Sequence, residues 1–508
     1  MVRKLAIVIA LALISSCCSA SDVGTWAKVF GKAGNDVFTN AVGLDDGGFV
    51  LVGYTTSRGD SENTWLINID CSGTMRWEQI YDMGGEDRAV AVARLGDGSF
   101  YVGGKMEAYG GDSAYIMKIK SSGADSLANH FSFNSGAALK SLRLDGSTAY
   151  SVGNAGSDGY IEKGDNVLSN SVIQSVQLND FVLDPSGGFV AAGEQNEVPL
   201  VLKTDSSFAV KKAFLLTGGG SLDGGRITEI VRMASGAFIL AGEFEMANSY
   251  KSMFLCKLDA SLDPVWMNVL GQRQDATVRG LSSTAGGDIL LAGTFRPSEG
   301  DPFDGYASLW SQDGSLVWQK RYGGDLSDEI WSAASSPLGG FVLVGKTKSY
   351  GSTGENGFVI RTDELGEVDD SCDFVKETSL EVDTREPQVY STSVSQSTVP
   401  PSMNPGKPAD KDPLGAADLL CYNGPQLFSV SRKADPFRLV LNGANLRKGF
   451  SVYIGESSTP WGKTLFMDGT KVMLKGGSSL KSNFPKGVPV LIRFFNDDGR
   501  GTEITFTR

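Results

Sequence analysis

The chain has 508 residues, 64 of them Gly and one His, with 46 Lys and Arg against 59 Asp and Glu for a formal charge of −13. A hydrophobic content of 41% is ordinary for a folding chain and excludes collagen and wholesale disorder. The lone His130 removes most metal sites and nearly every Ser-His or Cys-His catalytic pair, and the acidic balance argues against nucleic acid as a partner.

Residues 1–20 read as an export signal. Arg3 and Lys4 precede the apolar run LAIVIALALI at 5–14, which is too short to cross about 30 Å of hydrocarbon. Residues 14–17, Ile-Ser-Ser-Cys, resemble a lipobox, in which Cys17 becomes the acylated first residue of the mature chain. Cleavage after Ala20 is the other reading. No later stretch approaches eighteen apolar residues, so the product is expected in the cell envelope or outside the cell, touching membrane only through a lipid anchor.

Residues 22–367 carry a repeat of about fifty residues. Its mark is a Gly- or Asp-bounded turn, an apolar run of four or five residues and a closing Gly, as in Asp46–Gly53, Asp97–Gly103, Asp145–Gly153, Gly187–Gly193, Ser235–Gly242, Gly286–Gly293 and Gly339–Gly345. Such a run is a buried strand entered by a tight turn. An apolar strand before it (Ala89–Ala93), a third strand (Trp65–Asp70), a Ser72-Gly73 turn and a fourth strand carrying Trp77 complete the unit. Four antiparallel strands per unit predict a propeller blade, and seven copies an all-β, seven-bladed β-propeller. Trp266 and Trp318 mark other fourth strands, but the last unit has no Trp. The strand around Trp26–Phe30 is therefore expected to complete the seventh blade.

The pattern Trp318-x3-Tyr322-Gly323-Gly324, then Asp328, then Gly339–Gly345 resembles the exported bacterial β-propeller repeats of the SBBP and delta-60 kind, over about residues 24–367. The resemblance implies a fold and an envelope or surface location more than an activity.

Residues 368–424 lose the periodicity. Pro387, Pro400, Pro401, Pro405, Pro408 and Pro413 interrupt a Ser/Thr-rich, acidic stretch that reads as a linker. From 425 to 508 short strands return, and Asn442–Leu446 followed by Gly449–Gly455 resembles an IPT/TIG domain, implying an immunoglobulin-like β-sandwich. That segment carries +7, leaving −20 for everything before it.

Cys71 and Cys256 fall in strand-like segments and read as buried small hydrophobes. Cys372 and Cys421 flank the Pro-rich stretch, and a disulfide between them would contribute about 3–4 kcal/mol. Asp36, Asp87, Asp223, Asp275 and Asp328 each follow the Gly-rich link into a new unit. They read as turn caps in preference to a ring of cation ligands, since Ca²⁺ needs six or more oxygens at one point. The longer loops, Tyr54–Thr64, Lys105–Asp112, Glu243–Lys251, Thr294–Tyr306 and Lys346–Asn356, present Tyr109, Tyr250, Phe303, Tyr306 and Tyr350 as aromatic handles. The expectation is a monomeric binding or scaffold protein for an envelope protein or glycan, without cofactor, metal or catalytic residues. The alternative is a hydrolase or lyase that acts on an envelope polysaccharide through loop carboxylates.

Overall fold

The computed structural model describes residues 24–508 apart from residues 60, 109–110, 133–135, 165–168, 220–223, 247–249, 273, 369–371, 399–401, 407–408, 416, 423–424, 434–435, 445, 447, 469 and 497–500. The expected leader, with the lipobox and Cys17, lies outside the described residues. Residues 24–43 and 48–423 form one compact unit and residues 424–508 another. Both are all-β, and the single helix among the described residues is Ser478–Ser482.

One sheet shows how the repeat folds. In sheet 1 the strands Asp36–Gly43, Phe49–Thr55, Asn63–Ile69 and Met75–Asp82 pair antiparallel in chain order. Gly47, at φ 79°, supplies the left-handed residue that the first turn demands. The second and third strands are buried along their whole length, the polar Thr55, Asn63, Thr64 and Asn68 included. Six more sheets begin on the inner strands Asp87–Arg94, Ala138–Asp145, Gln177–Leu183, Gly225–Arg232, Asp275–Ser283 and Asp328–Ser335. Sheet 7 takes its fourth strand from the other end of the unit: Trp26–Phe30 pairs with Asn356–Thr362, Trp26 opposite Arg361.

Neighbouring sheets share apolar cores, and sheet 7 meets sheet 1 in a cluster holding Trp26, Phe38, Phe49, Trp65, Val342 and Val359. There the Phe38 ring stacks on Trp65 at 4.4 Å and 14°. The sheets thus close into a β-propeller-like cycle.

Every inner strand carries one β-bulge, and the repeated Gly answers it. In sheet 1 the register skips Thr39, and Gly53 lies opposite Phe38. A Cβ on Gly53 would land on the carbonyl oxygen of Val37. The same collision recurs at Gly193 with Gln177, Gly242 with Arg226, Gly293 with Thr277 and Gly345 with Glu329. In sheet 2 the residue in this place is Gly104, against Arg88, so the Val102-Gly103-Gly104 doublet is in phase through its second Gly. The bulged residues are Thr39, Val90, Lys140, Asn179, Thr228, Arg279 and Trp331, one per sheet.

Among the described residues, the stretch read as a linker carries seven short strands. Val375–Glu377 pairs with the fourth strand of sheet 6, Val382–Arg385 with that of sheet 5, and Gln388–Ser391 with that of sheet 4. Gln396–Ser397, Ser402–Gly406, Ala409–Lys411 and Asp418–Tyr422 then join sheets 3, 2, 1 and 7. The segment runs backwards round the cycle and gives every sheet a fifth, outer strand. Pro is tolerated because these are edge strands, where one backbone row faces outward.

Cys71 corrects its reading as a small hydrophobe, for it is disulfide-bonded, as is Cys372. The side chain of Cys421, the partner expected for Cys372, lies outside the described residues. Cys256 is a free, buried thiol.

In the C-terminal unit a four-stranded sheet has the order Gln426–Lys433, Arg438–Ala444, Lys471–Leu474, Thr464–Asp468. A three-stranded sheet holds Ser451–Ile454, Pro489–Phe495 and Gly501–Thr507. Leu439, Leu441 and Val472 from the first meet Val452, Ile492 and Phe494 from the second in one core.

Candidate functional site

The recurring acids open the inner strands, and three of them, Asp36, Asp87 and Asp328, are fully buried. Asp36 accepts from the Lys32 amide at 2.7 Å, from the Ser57 hydroxyl at 2.8 Å and from the Thr55 hydroxyl. Asp87 accepts from the Met83 amide at 2.6 Å. Asp328 takes the amides of Gly324 at 2.7 Å and Lys348 at 3.1 Å and the Ser349 hydroxyl at 2.6 Å. Asp275 is looser, 3.3 Å from the Lys251 amide and 3.8 Å from Arg296. Asp223 lies outside the described residues. Asp36 and Asp328 fasten the incoming turn to their own sheet's loop, which is capping geometry; Asp87 caps only the turn, its Oδ1 unpartnered, and the amide bound by Asp275 belongs to sheet 5. Burial, only partly offset by the Met83 amide, carries the Asp87 carboxyl up to about 7.

The aromatic handles separate. Tyr306 is fully buried in the strand Asp304–Trp310, opposite Gly293, so it does not belong to an exposed face. The cause is strand length: Ile289–Arg296 continues past its Gly and leaves only residues 297–303 as loop. Tyr350 is half-buried against Phe358 and Phe374, ring centroids 6.2 and 6.0 Å away, and burial pushes its hydroxyl up to about 12. Tyr109 lies outside the described residues. Tyr250 and Phe303 remain partly accessible on the loops of sheets 5 and 6. The Tyr250 hydroxyl stands 3.4 Å from Glu299 Oε2, and the Arg296 guanidinium lies 4.3 Å from the centre of the Phe303 ring.

A second concavity escaped the sequence. The seven inner strands enclose a central cavity of ≈ 290 Å³. Part of its wall is apolar, from Val92, Leu281 and Ala333, and part is charged, from Lys140, Arg143, Asp180, Glu229 and Arg279. Asp180 accepts from Arg143 at 2.8 Å, from the Ser141 hydroxyl at 2.5 Å and from the Ile230 amide at 3.0 Å. Burial first, and the Asp180 charge second, hold the Glu229 carboxyl well above the usual carboxylate range. Arg279 lies over the Trp331 ring at 5.1 Å. Burial, reinforced by Arg226, Lys105 and Arg279, lowers the Lys140 ammonium. Lys140, Arg279 and Trp331 are bulged residues, two of them fourteen and one thirteen positions before the repeated Gly. Reading the repeat backwards from that Gly is the signal that would have found them.

No protein-family model matches the chain, so the likeness to SBBP, delta-60 and IPT/TIG modules rests on the motifs quoted above. No curated protein matches it in sequence. Among solved structures, Sqt1 from Chaetomium thermophilum is 10% identical with a TM-score of 0.35, covering 68% of this chain and 98% of that one. Drosophila Plexin A in complex with Semaphorin 1b is 10% identical with a TM-score of 0.39, covering 67% and 87%.

Proposed function

We propose that the chain is an exported recognition protein of the cell envelope. In this reading residues 22–424 form a seven-bladed β-propeller related to the SBBP and delta-60 repeats, and residues 425–508 an immunoglobulin-like module. The loop edge takes a protein or glycan partner, without catalysis. The observation that carries the proposal is the patch formed by Tyr250 with Glu299 and by Arg296 with Phe303. It places two aromatic rings and a guanidinium on the loops of sheets 5 and 6, the residue types on which interface affinity concentrates. The disulfide-bonded Cys71 and Cys372 support export, since such bonds persist in oxidising compartments. Acylation at Cys17 is the proposed anchor.

The test is capture from envelope extract with the full chain as bait. Tyr250→Ala combined with Phe303→Ala should abolish capture while the melting temperature holds. Undiminished capture would move the site off this patch.

A further inference from the structure

The molecule is acidic overall, yet the charges fixed in its central cavity have the opposite sign. Three cations, Lys140, Arg143 and Arg279, line it against two carboxyls, Asp180 and Glu229, so the lining is net positive even with both carboxyls ionised, and Arg143 is already paired with Asp180. Among the described residues neither Lys140 nor Arg279 is held in an ion pair: the Glu194 charge reaches Lys140 only at a distance, and Arg279 lies over the Trp331 ring. Both are the extra residues of β-bulges, so their backbone is turned out of the ladder towards the cavity they line. Both side chains keep solvent exposure in the cavity, and two like charges facing one space favour an anion between them.

We propose that the central cavity binds a small organic anion, its carboxylate or phosphate held between Lys140 and Arg279 and its uncharged body lying along the apolar wall. Size and lining both enter the assignment. A volume of ≈ 290 Å³ exceeds what an inorganic ion fills and suits a molecule of about monosaccharide size. The apolar wall of Val92, Leu281 and Ala333 gives such a body something to pack on. The guanidinium offers a planar fork that fits either head group. This site is distinct from the loop patch, so the two proposals fail separately.

The experiment is titration calorimetry on the full chain with galacturonate, glucose 6-phosphate, glucose and inorganic phosphate. At least one of the two acidic sugars should bind in a one-to-one ratio, more weakly as salt is raised, while glucose should give no saturable heat. Lys140→Met and Arg279→Gln should each weaken the binding about tenfold or more. Both variants should melt near the wild-type temperature, because both side chains are solvent-exposed. Absence of binding by both acidic sugars would overturn the proposal, as would glucose binding as tightly as they do. Binding that survives the double variant would do the same, and inorganic phosphate binding as tightly as either sugar would remove the role of the organic body.

Discussion

The indole of Trp26 lies against Gly73 of the next sheet, so close that a Cβ there would collide with the ring, and its Nε1 donates to the Cys71 carbonyl at 3.1 Å. Trp77 stands in the same relation to Gly123 and Ser121, and Trp318 to Gly366 and Glu364. Trp266 meets Gly314 likewise, but Lys257 has taken the Gln312 carbonyl at 2.8 Å and the Trp266 Nε1 is left unpaired. One fastening thus recurs between sheets, and the first strand of the unit supplies it for the seam between sheets 7 and 1.

Trp26→Ala should lower stability by about 3–5 kcal/mol, the loss for a large buried aromatic. Trp266→Ala should cost about 1 kcal/mol less, since no indole hydrogen bond is lost there. Denaturant midpoints of the two variants check the order, and equal midpoints would refute it.

Gly53→Ala and Gly345→Ala should each destabilise by about 1–3 kcal/mol or more, because the new methyl meets a backbone carbonyl that the bulge has pushed forward. Gly96→Ala, where nothing lies within reach of the methyl, should stay within about 0.5 kcal/mol of the wild type. Thermal unfolding of the three variants separates these outcomes.

Stability should fall as pH rises through the range set by Glu162. This side chain is fully buried, and burial, only slightly offset by the neighbouring Ser151 hydroxyl, raises its pKa to about 8. The folded state therefore holds a proton that the unfolded chain releases near pH 4.5, and the stability so gained is lost progressively between the two values. Glu162→Gln should flatten the curve and stabilise the protein by on the order of 3 kcal/mol at pH 8. A variant with the wild-type pH profile would contradict this.

A chain ending at residue 423 should melt near the full-length unit and remain monomeric. One ending at 367 should melt lower and aggregate, because seven fourth strands become open edges. Light scattering during a thermal ramp distinguishes the two.

Cys256 should resist a maleimide in the native protein and react only on unfolding. Burial raises its thiol far above the ordinary cysteine range and shields it from the reagent. Fast labelling of native protein would argue against the packing around it.

The repeat could be read from the chain because its signals are local. An apolar run between a Gly turn and a closing Gly, or a Trp a few residues past a Ser-Gly turn, needs no partner to be recognised. What was missed depends on a partner. The outer strands are two to five residues long, and Gln388–Ser391 is exposed at every position, so no alternation distinguishes it from linker. Tyr306 was misplaced because a strand's end is set by its neighbour's register. Lys140 and Arg279 look like surface cations until the bulges turn them inward, and Cys71 resembles any small core residue until its sulfur is paired.

The outer strand of each sheet also sets an order of events. Residues 409–411 pair with residues 80–82, and 418–422 with 26–29, so those partners wait until most of the chain has been made. The segment can be laid down only on sheets that already exist, and contacts so distant in sequence form slowly. Until then the early sheets keep their fourth-strand edges open, exposed to pairing with other chains. Completion of the rim is thus a late step in folding, and the interval before it is when this protein is most vulnerable.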